Sequence, residues 1–321
     1  MAKNKKEHQH YIPRFYLKGF TVPNHEYLWI YEKGKTEPRK GYYSNEAVRK
    51  NFYSFTNING EKDVTIEDAL AEIEGKAAPV FQKIKNYEKL NEDDRINFSL
   101  YLSAMLTRTP YFREYVNSNY KKSINKNREL IKPLIKNDEK NYVKPIDMPE
   151  ELWNSRWNSF PKKMEEKLLD YYFKNNDEKM VKPEFSLQYV LLQTSEIASR
   201  FYVMKWKFIA ATVNWKFVTS DNPLYNILGV GLSNPNVEMS FPISKELFFL
   251  GTWQDNEIMI KTKAQDKEGY FQADNNIVKE FNRATVKSAL KYVFSSNNSD
   301  GLMRLVQKYK DSAPKIQITQ L

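Results

Sequence analysis

The sequence predicts an α+β fold in which a helical first half packs with a mostly antiparallel sheet formed by the second half. Apolar residues recur at helical spacing before residue 204, whereas the segments between 205 and 263 are rich in aromatic and β-branched residues. Hydrophobic residues make up 41% of the 321-residue chain, which is enough for a packed core. Because no linker is evident, we expect a single domain over 1–321, with a segment at 8–20, a mainly helical region at 64–204 and mixed strands and helices at 205–321.

Start and stop signals delimit the helices. Residues 8–20 read as an extended segment that enters a short helix, with Pro13 in its first turn and Gly19 at its end. Thr65 and Asn91 each precede acidic residues, as N-terminal helix positions often do. The expected helices run from Thr65 beyond Pro79, from Asn91 to before Pro110, and over 186–203, 274–290 and 301–311.

Strand signals dominate the second half. The expected strands are Tyr27–Tyr31, Lys205–Thr212, Trp215–Ser220, Glu238–Ile243, Leu247–Trp253, Glu257–Lys263 and Tyr292–Ser295. Asn214 marks a tight turn between the second and third of these. In the lysine- and asparagine-rich stretch 115–185, Trp153 and Trp157 share one helical face.

The chain is basic and contains no cysteine. Its formal net charge of +10 favours an anionic partner, either a nucleic acid or a phosphorylated small molecule, although a lysine-rich surface without such a partner is the alternative. Disulfides, thiolate metal sites and cysteine nucleophiles are excluded, and a cytoplasmic location fits. No apolar run approaches the length of a membrane span, so we expect no membrane partner.

His8 and His10 are the most informative pair of residues, because the chain has only three histidines. Residues i and i+2 of an extended segment project to the same side, so both rings could bind one divalent metal ion. Arg14, in the helix that follows, could hold a phosphate oxygen nearby. The alternative is two surface histidines on an unstructured segment.

Two helices carry further candidates. The first has the acidic residues Glu67, Asp68, Glu72 and Glu74. Arg108 and Arg113 lie near the end of the second, and guanidinium groups suit phosphate oxygens. Both sets also fit a simpler role, because acids favour helix N-termini and cations favour C-termini.

A polar turn after an apolar strand supplies the last candidate. Asp221, in Ser220-Asp221-Asn222-Pro223, could ligate a metal, act as a base or close an Asx turn. The segment Phe241-Pro242-Ile243-Ser244 and the pair Asn282 and Arg283 are candidates for the same region. Glycine-rich phosphate loops, dinucleotide fingerprints, serine nucleophile elbows and His-Glu-x-x-His zinc motifs do not occur in the chain.

Together these segments resemble domain-of-unknown-function family 4238, a bacterial family. The resemblance is carried by His10-Tyr11-Ile12-Pro13, Tyr16-Leu17, Phe20, Glu74, Arg108-Thr109-Pro110, Ser220-Asp221-Asn222-Pro223 and Pro242 to Ser244. It spans nearly the whole chain and implies one continuous domain in which these elements meet in one pocket. It implies no particular activity.

Our leading hypothesis is an enzyme that acts on nucleic acid or a nucleotide, as a metal-dependent nuclease or phosphodiesterase of a defence or toxin type. A divalent Mg, Mn or Zn ion would be bound by His8, His10 and Asp221 and would generate the nucleophile. Glu74 would be a second ligand or general base, with Asp221 and His10 also in catalytic roles. Arg14, Arg108 and Arg113 would hold the phosphate.

Two alternatives remain open. A non-catalytic nucleic-acid-binding or interaction protein would use exposed aromatic residues and lysines to stack bases and follow the backbone. A nucleotide-dependent group transferase, acting for example with NAD, would use His10 to orient the substrate.

Overall fold

A computed structural model describes residues 7–56, 62–63, 65–119, 122, 194, 196–226, 228–253, 262–263 and 269–314. The chain divides into two compact units, one made of Met1–Arg113 with Leu187–Leu321 and the other of Glu114–Ser186. The described residues lie mostly in the first unit, and a single domain over 1–321 stays a prediction. Trp153, Trp157 and most of 115–185 lie outside the described residues.

The helices follow the capping signals. They are α1 (Arg14–Lys18), α2 (Thr65–Lys85), α3 (Glu92–Thr107), α4 (Asn275–Ser288) and α5 (Asp300–Lys308), with further helical residues at 110–119 and 196–203. Asn91 and Asp94 form a capping box at the start of α3, in which each side chain accepts a hydrogen bond from the other's backbone N–H. Pro79 lies inside α2, as predicted.

Gly19 ends α1 for reasons of space. Its φ of −66° is one that any residue adopts. A Cβ at this position would lie 3.1 Å from the Tyr16 carbonyl oxygen and 3.3 Å from the Ser244 Cβ. Glycine therefore lets the end of α1 approach the segment around Ser244.

The strands form two larger sheets and two short ribbons. They are β1 (His8–His10), β2 (Tyr27–Glu32), β3 (Arg39–Tyr42), β4 (Val48–Lys50), β5 (Phe55–Thr56), β6 (Lys62–Asp63), β7 (Lys205–Ala210), β8 (Thr219–Ser220), β9 (Tyr225–Asn226), β10 (Glu238–Pro242), β11 (Leu247–Thr252), β12 (Thr262–Lys263), β13 (Tyr270–Gln272) and β14 (Tyr292–Ser295). The ribbons pair β1 with β4 and β5 with β6.

The larger sheet has the strand order β12-β13-β7-β11-β10-β9, and all of its pairs are antiparallel except β13 with β7. Every residue of β11 is buried, because the sheet is covered on both faces. On one face Phe249 packs against Phe98 of α3, with ring centroids 5.5 Å apart. On the other face Phe248 packs against Phe281 of α4, at 4.2 Å.

The smaller sheet has the order β3-β2-β14-β8 and is antiparallel throughout. It joins strands from both ends of the chain. The α+β class is confirmed, with helices mostly in the first half and antiparallel sheets mostly in the second half. No helix in the described ranges is long and apolar enough to cross a membrane.

One predicted strand is much shorter than expected. Of Trp215–Ser220, only Thr219–Ser220 is a strand, and it pairs with β14 instead of with its sequence neighbour β7. The reason is Asn282 of α4, whose side chain accepts from Val218 N at 3.0 Å and donates to Lys216 O at 2.9 Å. The amide of Asn282 thus takes backbone groups that a partner strand would otherwise pair.

Candidate functional site

The two histidines lie on the short strand β1, which pairs with β4 in the register His8↔Lys50 and His10↔Val48. They share one side of the strand, as the spacing predicts. Their surroundings differ, because His8 is exposed whereas His10 is half-buried. Of the two, His10 is therefore the better candidate for a functional residue.

Between them, Gln9 points the other way and is only 1% exposed. Its amide nitrogen donates to Ser54 Oγ at 2.8 Å and to Glu67 Oε2 at 2.7 Å. Its amide oxygen accepts from Tyr53 N at 2.6 Å. Gln9 thereby holds β1 against α2, and the Glu67 carboxylate has a structural role as the acceptor of this hydrogen bond. Sequence reasoning missed this residue, although a glutamine on the alternate side of a strand is a recognisable signal.

Arg108 and Glu74 meet next to β1, as the hypothesis of one pocket requires. Arg108 is 3% exposed, and its Nη1 donates to Glu74 Oε1 at 2.6 Å. Its Nη2 donates to the His10 carbonyl oxygen at 2.7 Å, and its Nε to the Tyr53 hydroxyl at 3.2 Å. Each of the three nitrogens of this buried guanidinium donates to a protein acceptor. Arg108 can therefore act on a ligand through its positive charge more than through a direct hydrogen bond.

The His10 ring has a defined tautomer. Its Nε2 lies 2.9 Å from the Ser44 carbonyl oxygen, and since a carbonyl only accepts, we assign the proton to Nε2. Arg14 Nε directs its N–H at the same nitrogen from 3.2 Å, a hydrogen bond that Nε2 could accept only in the other tautomer. With Nε2 protonated, the Arg14 donor is available to another acceptor. The basic lone pair of His10 is then on Nδ1.

Burial lowers the pKa of His10 below its ordinary value, and the charges of Arg14 and Arg108 lower it further. The hydrogen bond to Ser44 and the Glu74 carboxylate oppose this shift without cancelling it. The ring is therefore neutral at neutral pH and able to accept a proton.

Arg113 belongs to a second group of cations. It donates to the Phe52 carbonyl oxygen, and its guanidinium lies 4.4 Å from the centre of the Phe52 ring. Arg49 of β4 lies 5.5 Å from the same ring. Neither arginine has an ion pair to a carboxylate in the described part of the chain. Arg49 could not be predicted as a site residue from the sequence, because the apolar residues around it have no regular spacing.

The Asp221 carboxylate accepts hydrogen bonds from backbone amides and so has a structural role. Its Oδ1 accepts from Leu290 N at 2.8 Å, and its Oδ2 accepts from Lys291 N at 2.8 Å and Tyr292 N at 3.0 Å. Burial raises the pKa of Asp221 to about 6, against the opposing effect of these three amides and of Lys33. The carboxylate joins the Ser220-Asp221-Asn222-Pro223 turn to the start of β14.

The remaining candidates are dispersed. Asn282 binds backbone groups of 216 and 218, and Arg283 is an exposed partner of Glu280. Glu72 pairs with Lys76 on the surface of α2. The Pro242 carbonyl accepts from the Tyr16 hydroxyl at 2.8 Å, which links α1 to β10.

The predicted metal ligands are not joined by any contact that the structure describes. His8 is exposed on β1, and the oxygens of Asp221 accept from backbone amides. Among the described residues there is no group of three or more His, Asp or Glu side chains that could hold a metal ion. Binding of Mg, Mn or Zn at His8, His10 and Asp221 stays a prediction.

The cluster that the structure does assemble consists of His10, Arg14, Glu74 and Arg108. It offers a neutral imidazole, one available arginine donor, a buried positive charge and a carboxylate whose side chain is 26% exposed. Such a set can bind an anion and accept a proton.

Comparison with known proteins agrees with the resemblance seen in the motifs. No curated protein and no solved structure is significantly similar to the chain. The family model described as Protein of unknown function (DUF4238) matches residues 8–299, a range that includes β1, the Arg108–Glu74 pair and the Asp221 turn. The chain therefore belongs to the DUF4238 family.

Proposed function

We propose that this protein is an enzyme that acts on a phosphodiester of a nucleic acid or a nucleotide, with its site at His10, Arg14, Glu74 and Arg108. The single observation that carries the proposal is a neutral, half-buried histidine beside an exposed arginine that has no carboxylate partner among the described residues. A phosphate oxygen would satisfy that arginine, and its position would bring the phosphorus close to His10.

The chemistry follows from the protonation states. Arg14 would bind a non-bridging phosphate oxygen, and the buried charge of Arg108 would stabilise the negative charge of the transition state. Nδ1 of His10 would accept a proton from the attacking water as its oxygen bonds to phosphorus and the bond to the leaving oxygen breaks. The imidazolium would return that proton to the leaving oxygen.

A hydrolysis assay with a matched histidine control tests the proposal. The substrates are bis(p-nitrophenyl) phosphate, a cyclic nucleotide, and single- and double-stranded DNA and RNA. We expect His10→Ala to lower turnover by about 100-fold or more, the usual contribution of a general base. His25→Ala should leave it unchanged, because His25 is exposed, and its ring contacts the Asn24 carbonyl and the Tyr27 ring, neither of which belongs to the site. Equal activity of the two variants, or no turnover of any substrate, would contradict the proposal.

The same assay tests the metal requirement. Activity is measured after treatment with EDTA and after addition of Mg²⁺, Mn²⁺ or Zn²⁺. If the predicted divalent ion is required, EDTA abolishes turnover and one of these ions restores it. Turnover that is unaffected by EDTA would assign the chemistry to His10 and the arginines alone.

A nucleic-acid-binding role without catalysis is the second candidate, and an aromatic surface favours it. On β2 and β3, Tyr27 faces Tyr42 and Trp29 faces Lys40. Tyr42 is 60% exposed, and Lys40 Nζ lies 4.9 Å from the centre of the Tyr27 ring. Exposed rings with a nearby cation can stack bases beside a phosphate.

Fluorescence anisotropy with a labelled oligonucleotide separates the two roles. Under the second candidate, Tyr42→Ala weakens a salt-dependent affinity and His10→Ala does not change it. Binding that needs His10 and is unaffected by Tyr42→Ala would exclude it. A cytoplasmic location remains part of both proposals.

A further inference from the structure

A groove separate from the His10 cluster lies where the end of α1 meets the end of α2 and the segment before β11. Its volume is about 360 Å³. It is lined by Lys18, Gly19, Lys85, Tyr87, Ser244, Lys245, Glu246 and Leu247. Three of these eight residues are lysines, although the chain brings them from three distant segments.

Lys85 is the central cation of the groove. Its side chain is half-buried, and within the described structure its Nζ has no hydrogen bond and no ion pair. Burial lowers the pKa of Lys85, Glu246 opposes that shift, and the neighbouring charges of Lys18 and Lys245 add to it. An ammonium group in this position gains strongly from an anion that enters the groove.

The other two lysines form no ion pair with a carboxylate in the described structure. Lys245 Nζ donates to the Thr21 carbonyl oxygen at 3.0 Å, which is a neutral partner. Lys18 is exposed and has no ion pair in the described part of the chain. Glu246 is the one acid among the described residues that line the groove. It accepts from Ser244 Oγ at 3.3 Å and forms no described ion pair with a lysine.

Backbone features of Gly19, Lys245 and Tyr87 bring the segments of the groove together. Gly19 has no Cβ to obstruct Ser244, and its carbonyl oxygen accepts from Lys245 N at 3.1 Å. Tyr87, two residues after the last residue of α2, adopts a left-handed φ of 57°, where glycine is usual. Its ring packs against Tyr270 with centroids 5.2 Å apart, which places Tyr87 at the wall of the groove.

We propose that this groove binds the phosphate group of a ligand, with Lys85, Lys18 and Lys245 as its cationic contacts. A phosphate offers enough acceptor oxygens and negative charge for three ammonium groups. The Tyr87 hydroxyl, which belongs to another residue that lines the groove, can donate one further hydrogen bond. The inference does not depend on catalysis at His10, because no residue is shared between the two sites.

The ligand can be a free phosphorylated small molecule or a phosphate of a nucleic acid backbone. Titrations of the full chain with inorganic phosphate, with AMP and with a 12-nucleotide single strand distinguish them. Tight binding of AMP or phosphate that the strand does not displace identifies a small-molecule site. Displacement of bound AMP by the strand identifies a backbone contact.

Lys85→Gln and Lys18→Gln are the test variants, and Lys76→Gln is the control. Lys76 lies on α2 as Lys85 does, but on the surface in a pair with Glu72. We expect Lys85→Gln to weaken phosphate or AMP binding by about 10-fold or more, as the loss of a charged hydrogen bond does, and Lys18→Gln to weaken it less. Lys76→Gln should bind as the wild type does.

Two outcomes would overturn the inference. One is that none of the three probes binds to the wild-type chain. The other is that Lys85→Gln binds with unchanged affinity but unfolds at a lower urea concentration, which would show that Lys85 only complements the C-terminal end of α2.

Discussion

The Tyr16 hydroxyl lies 2.6 Å from Thr219 Oγ1 in the fully buried interior. The same hydroxyl donates to the Pro242 carbonyl oxygen at 2.8 Å. Tyr16 belongs to α1, Thr219 to the smaller sheet and Pro242 to the larger sheet. One phenol therefore joins the N-terminal segment to both sheets.

Tyr16→Phe should lower the free energy of unfolding by about 1–3 kcal/mol, because it leaves two buried polar groups without this partner. Tyr101→Phe is a matched control. Tyr101 is equally buried, but its hydroxyl has no hydrogen-bond partner in the described structure. Urea unfolding of the two variants should show a loss for Tyr16→Phe and none for Tyr101→Phe. Equal losses would mean that packing, and not the hydrogen bonds of Tyr16, holds α1.

Local sequence signals predicted the helices well, because each capping interaction lies within a few residues. Asn91 and Asp94 are an example, since their capping box needs no other part of the chain. The strand at Trp215–Ser220 could not be predicted in the same way. Its pairing is decided by Asn282, which is more than sixty residues away and competes for the backbone groups of 216 and 218.

The candidate site was partly predictable for a similar reason. The motifs identified His10, Arg14, Glu74 and Arg108, and the structure brings these four together. Whether a charged side chain is available to a ligand depends on long-range contacts that no motif contains. Asp221 illustrates this, because its carboxylate is surrounded by the amides of 290–292, about seventy residues later.

Arg108→Met should destabilise the protein by about 3–5 kcal/mol, the usual effect of breaking a buried ion pair. The change also leaves the His10 carbonyl oxygen and the Tyr53 hydroxyl without their donors. Arg283→Met, which removes an exposed partner of Glu280, should change stability by less than about 0.5 kcal/mol. Urea midpoints compare the two arginines directly. A small effect of Arg108→Met would show that the buried charge is dispensable for folding.

Asp221 should make stability depend on pH in an unusual direction. Its pKa is raised from 3.8 to about 6 in the folded state, so the folded protein holds the proton more tightly than the unfolded chain. The stability contributed by protonated Asp221 is present below about pH 4 and is lost as the pH rises through 6. The stability of the wild type relative to Asp221→Asn should therefore fall by about 2 kcal/mol between pH 4 and 7. A constant difference across this range would refute a raised pKa.

His10 should titrate below pH 6.5, because burial and two arginines disfavour its charged form. With three histidines in the chain, imidazole signals in a ¹H–¹⁵N spectrum can be assigned by comparison with His10→Gln. At neutral pH we expect the tautomer with the proton on Nε2, since that nitrogen donates to the Ser44 carbonyl.

The lowered pKa of His10 also makes the free energy of unfolding depend on pH. The stability that neutral His10 contributes is present above pH 6.5 and is lost as the pH falls through the folded-state pKa. Glutamine can donate to the same carbonyl without titrating, so His10→Gln should lose less stability between pH 7.5 and 5.5 than the wild type. A His10 signal with a midpoint above 6.5, or a proton on Nδ1, would remove the basis for His10 as the proton acceptor.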